Sequence, residues 1–168
     1  MMSGENASSM TAKGQLAHFE KLIDSYVSKQ GIHRIEYNEE ALKILNMKSF
    51  ELKALTSQEC GELAFALSQY ALYVQQQIND QNARVNWAKN NIKSIVAKNL
   101  GQFDRYMKYE EKEYAIIATD EYAKKINDIL SYAQAVSDKL AYMAGRIQSL
   151  GNTLIELQRS KRRVDNVS

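Results

Sequence analysis

Small and apolar side chains recur at alternating intervals of four and three residues along two long stretches of the chain. Only Gln81 interrupts this pattern. This alternation of four and three residues is the period of an α-helix whose apolar stripe is covered by a partner helix along its length. The chain is therefore predicted to be all-α and built on two long helices. The first stripe comprises Leu67, Ala71, Val74, Ile78, Gln81, Val85, Ala88, Ile92 and Ile95, and the second comprises Tyr122, Ile126, Ile129, Ala133, Val136, Leu140, Met143, Ile147, Leu150, Leu154 and Leu157.

The ends of both long helices are indicated by their flanking residues. The sequence T-S-Q-E from Thr56 is a capping box, which predicts a helix from near residue 58 to Lys98 or Asn99. Gly101 breaks this helix, and a second one is predicted from near Asp104 to about Arg162. Short connections make neighbouring helices antiparallel. The expected fold is an elongated antiparallel helical hairpin or coiled coil, and an oligomer is expected. The far end of the longer second helix needs another partner, either the N-terminal helix or a second subunit.

The first 56 residues are predicted to form a tail and a small helical region. Residues 1–13 are expected to be a disordered tail, residues 14–56 the N-terminal helical region, residues 57–163 the hairpin and residues 164–168 a second tail. The apolar spacing over residues 15–30 predicts an amphipathic helix that stops at Gly31. Asn38 is a candidate cap for a short helix to Met47, although IHRIEY and SFELKAL could instead pair as strands.

Composition narrows the class of protein. The chain has no proline, as expected if most of it is helical. Its one cysteine, Cys60, excludes internal disulfides and a cysteine-rich zinc site, and we expect it to be buried at a helix start. No segment approaches the length of about 18 apolar residues typical of a membrane span, and the polar N-terminus does not resemble a secretory signal. A soluble, cytoplasmic protein is expected.

The sequence gives no positive sign of an enzyme. His18 and His33 lie in different predicted elements, and neither has a serine, cysteine or carboxylate at a catalytic spacing. The glycine patterns of nucleotide-binding loops and the Glu-x-x-His repeats of metal-binding bundles are missing. We therefore predict no catalytic residue, no metal and no cofactor.

The segment from Gln81 to Lys98, QNARVNWAKNNIKSIVAK, contains four basic residues and no acidic one. At 100° per residue, four polar side chains share a strip roughly 60° wide, away from the apolar stripe, with Trp87 beside it. They are Asn82, Asn86, Lys89 and Lys93. Amines, amides and an aromatic ring can contact phosphates and stack on bases. The alternative is a solvated polar face with the tryptophan buried by the N-terminal helix.

Basic and aromatic residues also alternate after Gly101, as they do in proteins that bind single strands. This cluster comprises Phe103, Arg105, Tyr106, Lys108, Tyr109, Lys112 and Tyr114. The same side chains could instead seal the end of the hairpin. A third group of cations ends the second long helix, where they complement the helix dipole or contact phosphate. Its members are Arg159, Lys161, Arg162 and Arg163.

The order of these segments carries a family resemblance. Apolar heptads lead to the basic stretch AKNNIKSIVAKNLG, then to DRYMKYEEKEYAIIATDEYAKKIN, and then to a long helix with SDKLAYMAGRIQSLGNTL. Over roughly residues 65–160, the chain resembles the UvsY family, the recombination mediator proteins of T4-like phages.

This resemblance implies a non-enzymatic factor of DNA recombination and repair. Such proteins form small rings, bind single-stranded DNA and help load a recombinase onto DNA covered by single-strand-binding protein. A phage-encoded member works in the host cytoplasm. The matching cations are Arg84, Lys89, Lys93 and Lys98, to which composition adds Trp87, Arg105 and Lys108 as candidate nucleic-acid contacts. The last helix would carry homo-oligomerisation through Leu140, Met143, Ile147, Leu150, Leu154 and Leu157.

Two other hypotheses about function are consistent with the same apolar stripes. The chain could be a structural or scaffolding coiled coil, such as a virion component or an assembly chaperone, with no affinity for nucleic acid. It could also be an interaction adaptor, for instance an inhibitor of a host factor. Under both, Lys89 and Lys93 would be solubilising surface charge.

Overall fold

The computed structural model describes residues 11–31 and 34–165, and within these residues the chain is helical with no strand. The all-α prediction is therefore confirmed, and the alternative of paired strands around residues 35–55 is wrong. The helices are α1 (Ala12–Lys29), α2 (Glu39–Leu45), α3 (Ser49–Ala54), α4 (Ser57–Asn99), α5 (Tyr109–Thr119) and α6 (Glu121–Asp165), with a 3₁₀ turn at Leu100–Gln102.

The contacts divide the chain into two compact units. Unit 1 combines residues 11–31 with Asp80–Val136, and unit 2 combines Arg34–Asn79 with residues 137–165. Each long helix therefore contributes one part to each unit. Helix α1 belongs to unit 1, and α2 and α3 belong to unit 2. Residues 1–10 and 166–168 of the two predicted tails lie outside the described residues.

The core of unit 1 joins four helices. Side chains from α1, α4, α5 and α6 meet in it with almost no exposed surface, and together they remove a continuous apolar surface from water. These residues are Ala12, Ala88, Ile92, Val96, Ile116, Ala123 and Ile126. Helix α1 is fixed on this core by a further contact, because the Tyr122 hydroxyl donates a hydrogen bond to Oε1 of Gln15 at 2.5 Å.

The core of unit 2 joins α2, α4 and α6. Its buried members are Ala41, Ile44, Cys60, Leu67, Tyr70, Val74, Ile78, Ile147 and Leu154. The segment before α2 is held on α4 by the backbone N–H of Ile35, which donates to Oε1 of Gln76 at 3.0 Å. Tyr37 also meets the Tyr70 ring edge-on, with centroids 6.0 Å apart, and burial raises the pKa of Tyr70.

The two apolar stripes are covered as the sequence predicted. Every position from Leu67 to Ile95 and from Tyr122 to Leu157 in the two series is buried or half-buried. The first stripe shifts at its end, where Val96 is fully buried and Ile95 only partly. The pattern therefore identified the sides of α4 and α6 that form the two cores.

The capping predictions also agree with the structure. The backbone N–H of Thr56 donates to Oε2 of Glu59 at 2.7 Å, and the N–H of Glu59 donates to the Thr56 hydroxyl at 3.2 Å. The Thr56 hydroxyl also donates to Oε2 of Glu59 at 2.8 Å. The backbone and hydroxyl donors of Thr56 lower the pKa of Glu59, because they stabilise its carboxylate form. Asn38 caps α2 by accepting from the N–H of Glu40 at 2.9 Å. Gly31 follows α1 with a φ of 69°, a conformation that favours glycine.

The prediction of one continuous helix from Asp104 to Arg162 is wrong. Asp120 has extended backbone angles, φ −100° and ψ 113°, between α5 and α6. Its side-chain Oδ1 accepts from the N–H groups of Tyr122 at 2.8 Å and Ala123 at 3.1 Å. The carboxylate thus satisfies donors that a new helix start leaves unpaired, which stabilises a break there.

Two helix ends also differ slightly from the prediction. Helix α1 begins at Ala12 rather than after residue 13, because the Thr11 hydroxyl accepts from the N–H of Gly14 at 3.3 Å and starts the helix earlier. Helix α6 continues to Asp165, two residues past the predicted end of the hairpin. Helix ends of this kind are set by single capping contacts, which apolar spacing does not encode.

Replacing Asp120 with alanine should lower the free energy of unfolding by about 1 kcal/mol, because the first N–H groups of α6 lose their acceptor. Urea denaturation followed by circular dichroism measures this change. Asp120→Asn is the matched control and should stay near the wild-type value, since asparagine caps equally well. An alanine variant as stable as the wild type would contradict this account of the break.

Candidate nucleic-acid interface

One flank of α4 in unit 1 presents four polar side chains to solvent. Asn82, Asn86, Lys89 and Lys93, which we call the α4 strip, are all exposed. Within residues 11–31 and 34–165, no ion pair involves Lys89 or Lys93. No acidic residue occurs between positions 81 and 103. The strip therefore offers two cations and the amide of Asn86 to a ligand, with no acidic residue on the same part of the helix.

Arg84 lies on the other flank and is already engaged. Its Nε is 2.5 Å from Oε1 of Glu20 on α1, and its Nη1 donates to Oε1 of Gln81 at 3.4 Å. Both charged side chains are about one-third exposed. This network also explains the single polar interruption of the first stripe, because the buried amide of Gln81 has a partner.

Trp87 and Lys98 are also separated from the strip. The Trp87 side chain is half-buried and packs against the core of unit 1, in agreement with the packing alternative for this residue. Lys98 is exposed, but at 100° per residue it lies about 140° around α4 from Lys93. Among the predicted contacts on α4, the structure brings only Lys89 and Lys93 onto one surface.

The loop between α4 and α5 forms a second exposed surface of unit 1. The carboxylate of Asp104 accepts from the N–H of Tyr106 at 2.7 Å, and its carbonyl accepts from the N–H of Met107 at 3.2 Å. This turn holds Arg105 and Tyr106 at its tip, and the tyrosine is 89% exposed. Lys108 is exposed at the start of α5.

Two hypotheses apply to the aromatic residues of this region, namely contact with a single strand and sealing of the end of the hairpin, and different residues agree with each. Phe103 is half-buried against the core of unit 1, as the sealing alternative predicts. Tyr114 is 81% exposed and Tyr106 even more, so these two rings do not seal the core. The turn therefore combines an accessible ring with the accessible cations Arg105 and Lys108.

The residues predicted to carry oligomerisation pack within unit 2 of the same chain. Ile147 and Leu154 belong to its core, and Leu140, Leu150 and Leu157 pack against it. Met143, the sixth residue, is half-buried. Their burial is thus largely accounted for inside one chain, and the contact between chains stays a prediction.

The basic C-terminal residues are only partly available. Arg159 forms an ion pair with Glu156 at 2.8 Å, and Nζ of Lys161 donates to the carbonyl of Lys53 at 2.9 Å. Arg162 and Arg163 are exposed in the last turn of α6. Arg159 is therefore paired within α6 itself, whereas Lys161 links the end of α6 to α3.

No other chemistry stands out in the part of the chain that the structure describes. No group of three histidine, cysteine or acidic side chains there could hold a metal ion. His18 is exposed on α1, and His33 lies outside the described residues. Cys60 is buried, which raises the pKa of its thiol. None of the helices formed by residues 11–31 and 34–165 combines the length and apolar character needed to cross a membrane.

Comparison with protein-family models, curated proteins and solved structures gives no match to this chain.

Sequence reasoning missed the two acidic residues that organise these surfaces. Glu20 engages Arg84, and Asp104 shapes the turn that presents Tyr106. A signal for the first was available, because a polar residue on an apolar stripe, Gln81, precedes an arginine by three positions on the same helix. The partner on α1 was not predictable, since it depends on how α1 packs.

The Arg84–Glu20 pair should show a coupling free energy of about 0.2 to 1 kcal/mol, because both side chains are partly exposed. A double-mutant cycle with Arg84→Gln and Glu20→Gln, measured by urea denaturation at low salt, gives this value. Coupling indistinguishable from zero would mean that Arg84 is not held by α1 and is available to a ligand.

Proposed function

We propose that this chain is a non-enzymatic accessory protein that binds single-stranded DNA as a homo-oligomer. The observation that carries the proposal is the α4 strip, in which Lys89 and Lys93 are exposed beside Asn86 and no acidic residue occurs between positions 81 and 103 of the sequence. Ammonium groups bind phosphate by releasing condensed counterions, and amides add hydrogen bonds. The chemistry of this strip fits a polyanion better than it fits a neutral or cationic partner.

The turn at Asp104 favours a single strand over a duplex. Tyr106 is 89% exposed, and Arg105 and Lys108 are exposed close to it in sequence. An accessible ring can stack on a base only where that base is unpaired. The α4 strip would contact the backbone, and the turn would add stacking on bases and further charge.

Few cations are available in each chain, and this is why the proposal includes self-association. The four exposed cations Lys89, Lys93, Arg105 and Lys108 make few phosphate contacts and give weak binding alone, whereas linked copies on one strand bind with much greater avidity. We propose that α4 and α6 pair as an antiparallel coiled coil and that the stripe of α6 also contacts other copies. The half-buried Met143 is the stripe residue least accounted for by the core of unit 2.

The more specific role follows the family resemblance. A factor that holds single-stranded DNA in an oligomer can present it to a recombinase while single-strand-binding protein is displaced. The support for this role is the order of the basic stretch, the glycine turn and the long final helix, which resembles that of the UvsY family. DNA recombination and repair, and a phage origin, enter the proposal on this ground.

A scaffolding coiled coil without nucleic-acid binding is the second candidate. It is favoured by the engagement of Arg84 with Glu20 and the packing of Trp87, since both residues are withdrawn from the predicted site. Under this reading, the exposed lysines are solubilising charge and only protein contacts matter.

Binding of a fluorescent single-stranded oligonucleotide, with a duplex as control, separates the two candidates. Lys89→Gln with Lys93→Gln should weaken single-strand binding at low salt and flatten the slope of log K against log[salt] by about 1.4, which corresponds to two lost phosphate contacts. The matched control is Lys43→Gln with Lys53→Gln, which removes two exposed charges from α2 and α3. No binding by the wild type at low salt would rule out the DNA-binding proposal.

Met143→Asp should reduce the mass measured by light scattering, because it places a charge on the stripe proposed to join copies. Ser149→Asp is the control, since Ser149 is exposed on α6 outside that stripe. Circular dichroism checks that both variants keep their helices. A folded Met143 variant with the mass of the wild type would remove this stripe from the oligomer contact.

A further inference from the structure

The packing of unit 2 leaves one face of α6 uncovered. Lys139, Tyr142 and Arg146 are all exposed, and the tyrosine is 70% exposed. At 100° per residue, they share a sector about 60° wide, whose nearest edge is about 60° from the buried Leu154 and about 80° from the buried Ile147. The two cations are one heptad apart with the ring between them. We refer to these three residues as the α6 face.

The α6 face is positively charged. No acidic residue occurs from position 139 to 155, and no ion pair involves Lys139 or Arg146 in the part of the chain that the structure describes. The flanking acids are Asp138, which is exposed one turn before Tyr142, and Glu156, which pairs with Arg159 at 2.8 Å. The face therefore complements an anionic ligand.

Gly145 adds a second feature to the same region. It is exposed inside α6, where glycine is less favourable than alanine, and a Cβ built there would meet no atom within 4 Å. Packing within the described chain thus does not require this glycine. Its position three residues after Tyr142 leaves the backbone uncovered beside the ring, so that a flat group could approach closely.

We infer that the α6 face is a second contact surface for single-stranded nucleic acid, with phosphates on Lys139 and Arg146 and a base on the Tyr142 ring. This inference rests on the proposed function and adds a site in unit 2 to the one in unit 1. An acidic protein segment would use the two cations but would have no need of an accessible ring between them. A duplex would offer phosphates but no unpaired base to stack.

The test measures binding of the full-length protein to a fluorescent oligothymidine at several salt concentrations. Lys139→Gln with Arg146→Gln should flatten the slope of log K against log[salt] by about 1.4. Tyr142→Ala should weaken binding about tenfold, as expected for one lost base stack. Tyr142→Phe keeps the ring and should bind like the wild type, which separates loss of the ring from loss of the hydroxyl, and circular dichroism checks that both variants keep their helices.

Lys43→Gln with Lys53→Gln serves as the charge-matched control and should change the slope little. Wild-type slope and affinity in the α6 variants, together with weakened binding in the Lys89 and Lys93 variant, would overturn this inference and leave the proposed function standing. An equal loss in the charge-matched control would also overturn it, because the effect would then be net charge. Tyr142→Ala could bind normally while only Lys139→Gln with Arg146→Gln loses affinity for the oligonucleotide. The α6 face would then be an electrostatic surface open to any polyanion, including an acidic protein. This result would overturn the assignment of a base to Tyr142.

If the wild type fails to bind the oligonucleotide at low salt, the proposed function fails and this inference fails with it. If the α6 variants lose affinity while the α4 strip variant keeps it, the α6 face is supported as a binding surface and the assignment of the α4 strip is overturned.

Discussion

Burial of the two apolar stripes of α4 and α6 is the constraint on which the rest of this structure depends. Each long helix contributes part of its stripe to the core of both units, and the shorter helices complete those cores. A helix of this length is stable in water mainly because one side of it is covered. The stripes therefore determine which side of each helix faces inward, and so which polar side chains remain for partners.

This packing leaves polar surfaces on α4 and α6 that differ in how accessible their charged side chains are. On α4, the helix α1 engages Arg84, while the strip with Lys89 and Lys93 on the other flank stays accessible. On α6, the uncovered face carries a tyrosine between two cations. We propose both as surfaces that contact the phosphates and bases of a single strand.

Sequence periodicity predicted the helices and their buried sides because burial of one face repeats along the chain at the helical period. It did not predict the break at Asp120, which depends on one carboxylate accepting from two N–H groups. The family resemblance grouped Arg84 and Lys98 with Lys89, and composition added Trp87, but neither shows which flank of α4 another helix covers. The basic character of the candidate site could therefore be predicted from the sequence. Which of its basic residues stay exposed could not, because this depends on how α1 packs against α4.

Lysine footprinting with an acetylating reagent, read by mass spectrometry with and without a single-stranded oligonucleotide, tests the central claim most directly. The account predicts that Lys89 and Lys93 react readily in the free protein and become protected in the complex, while Lys43 and Lys53 react equally in both. Unchanged reactivity of Lys89 and Lys93 while the oligonucleotide is bound would contradict the assignment of the α4 strip. Low reactivity of these two lysines in the free protein would contradict their exposure.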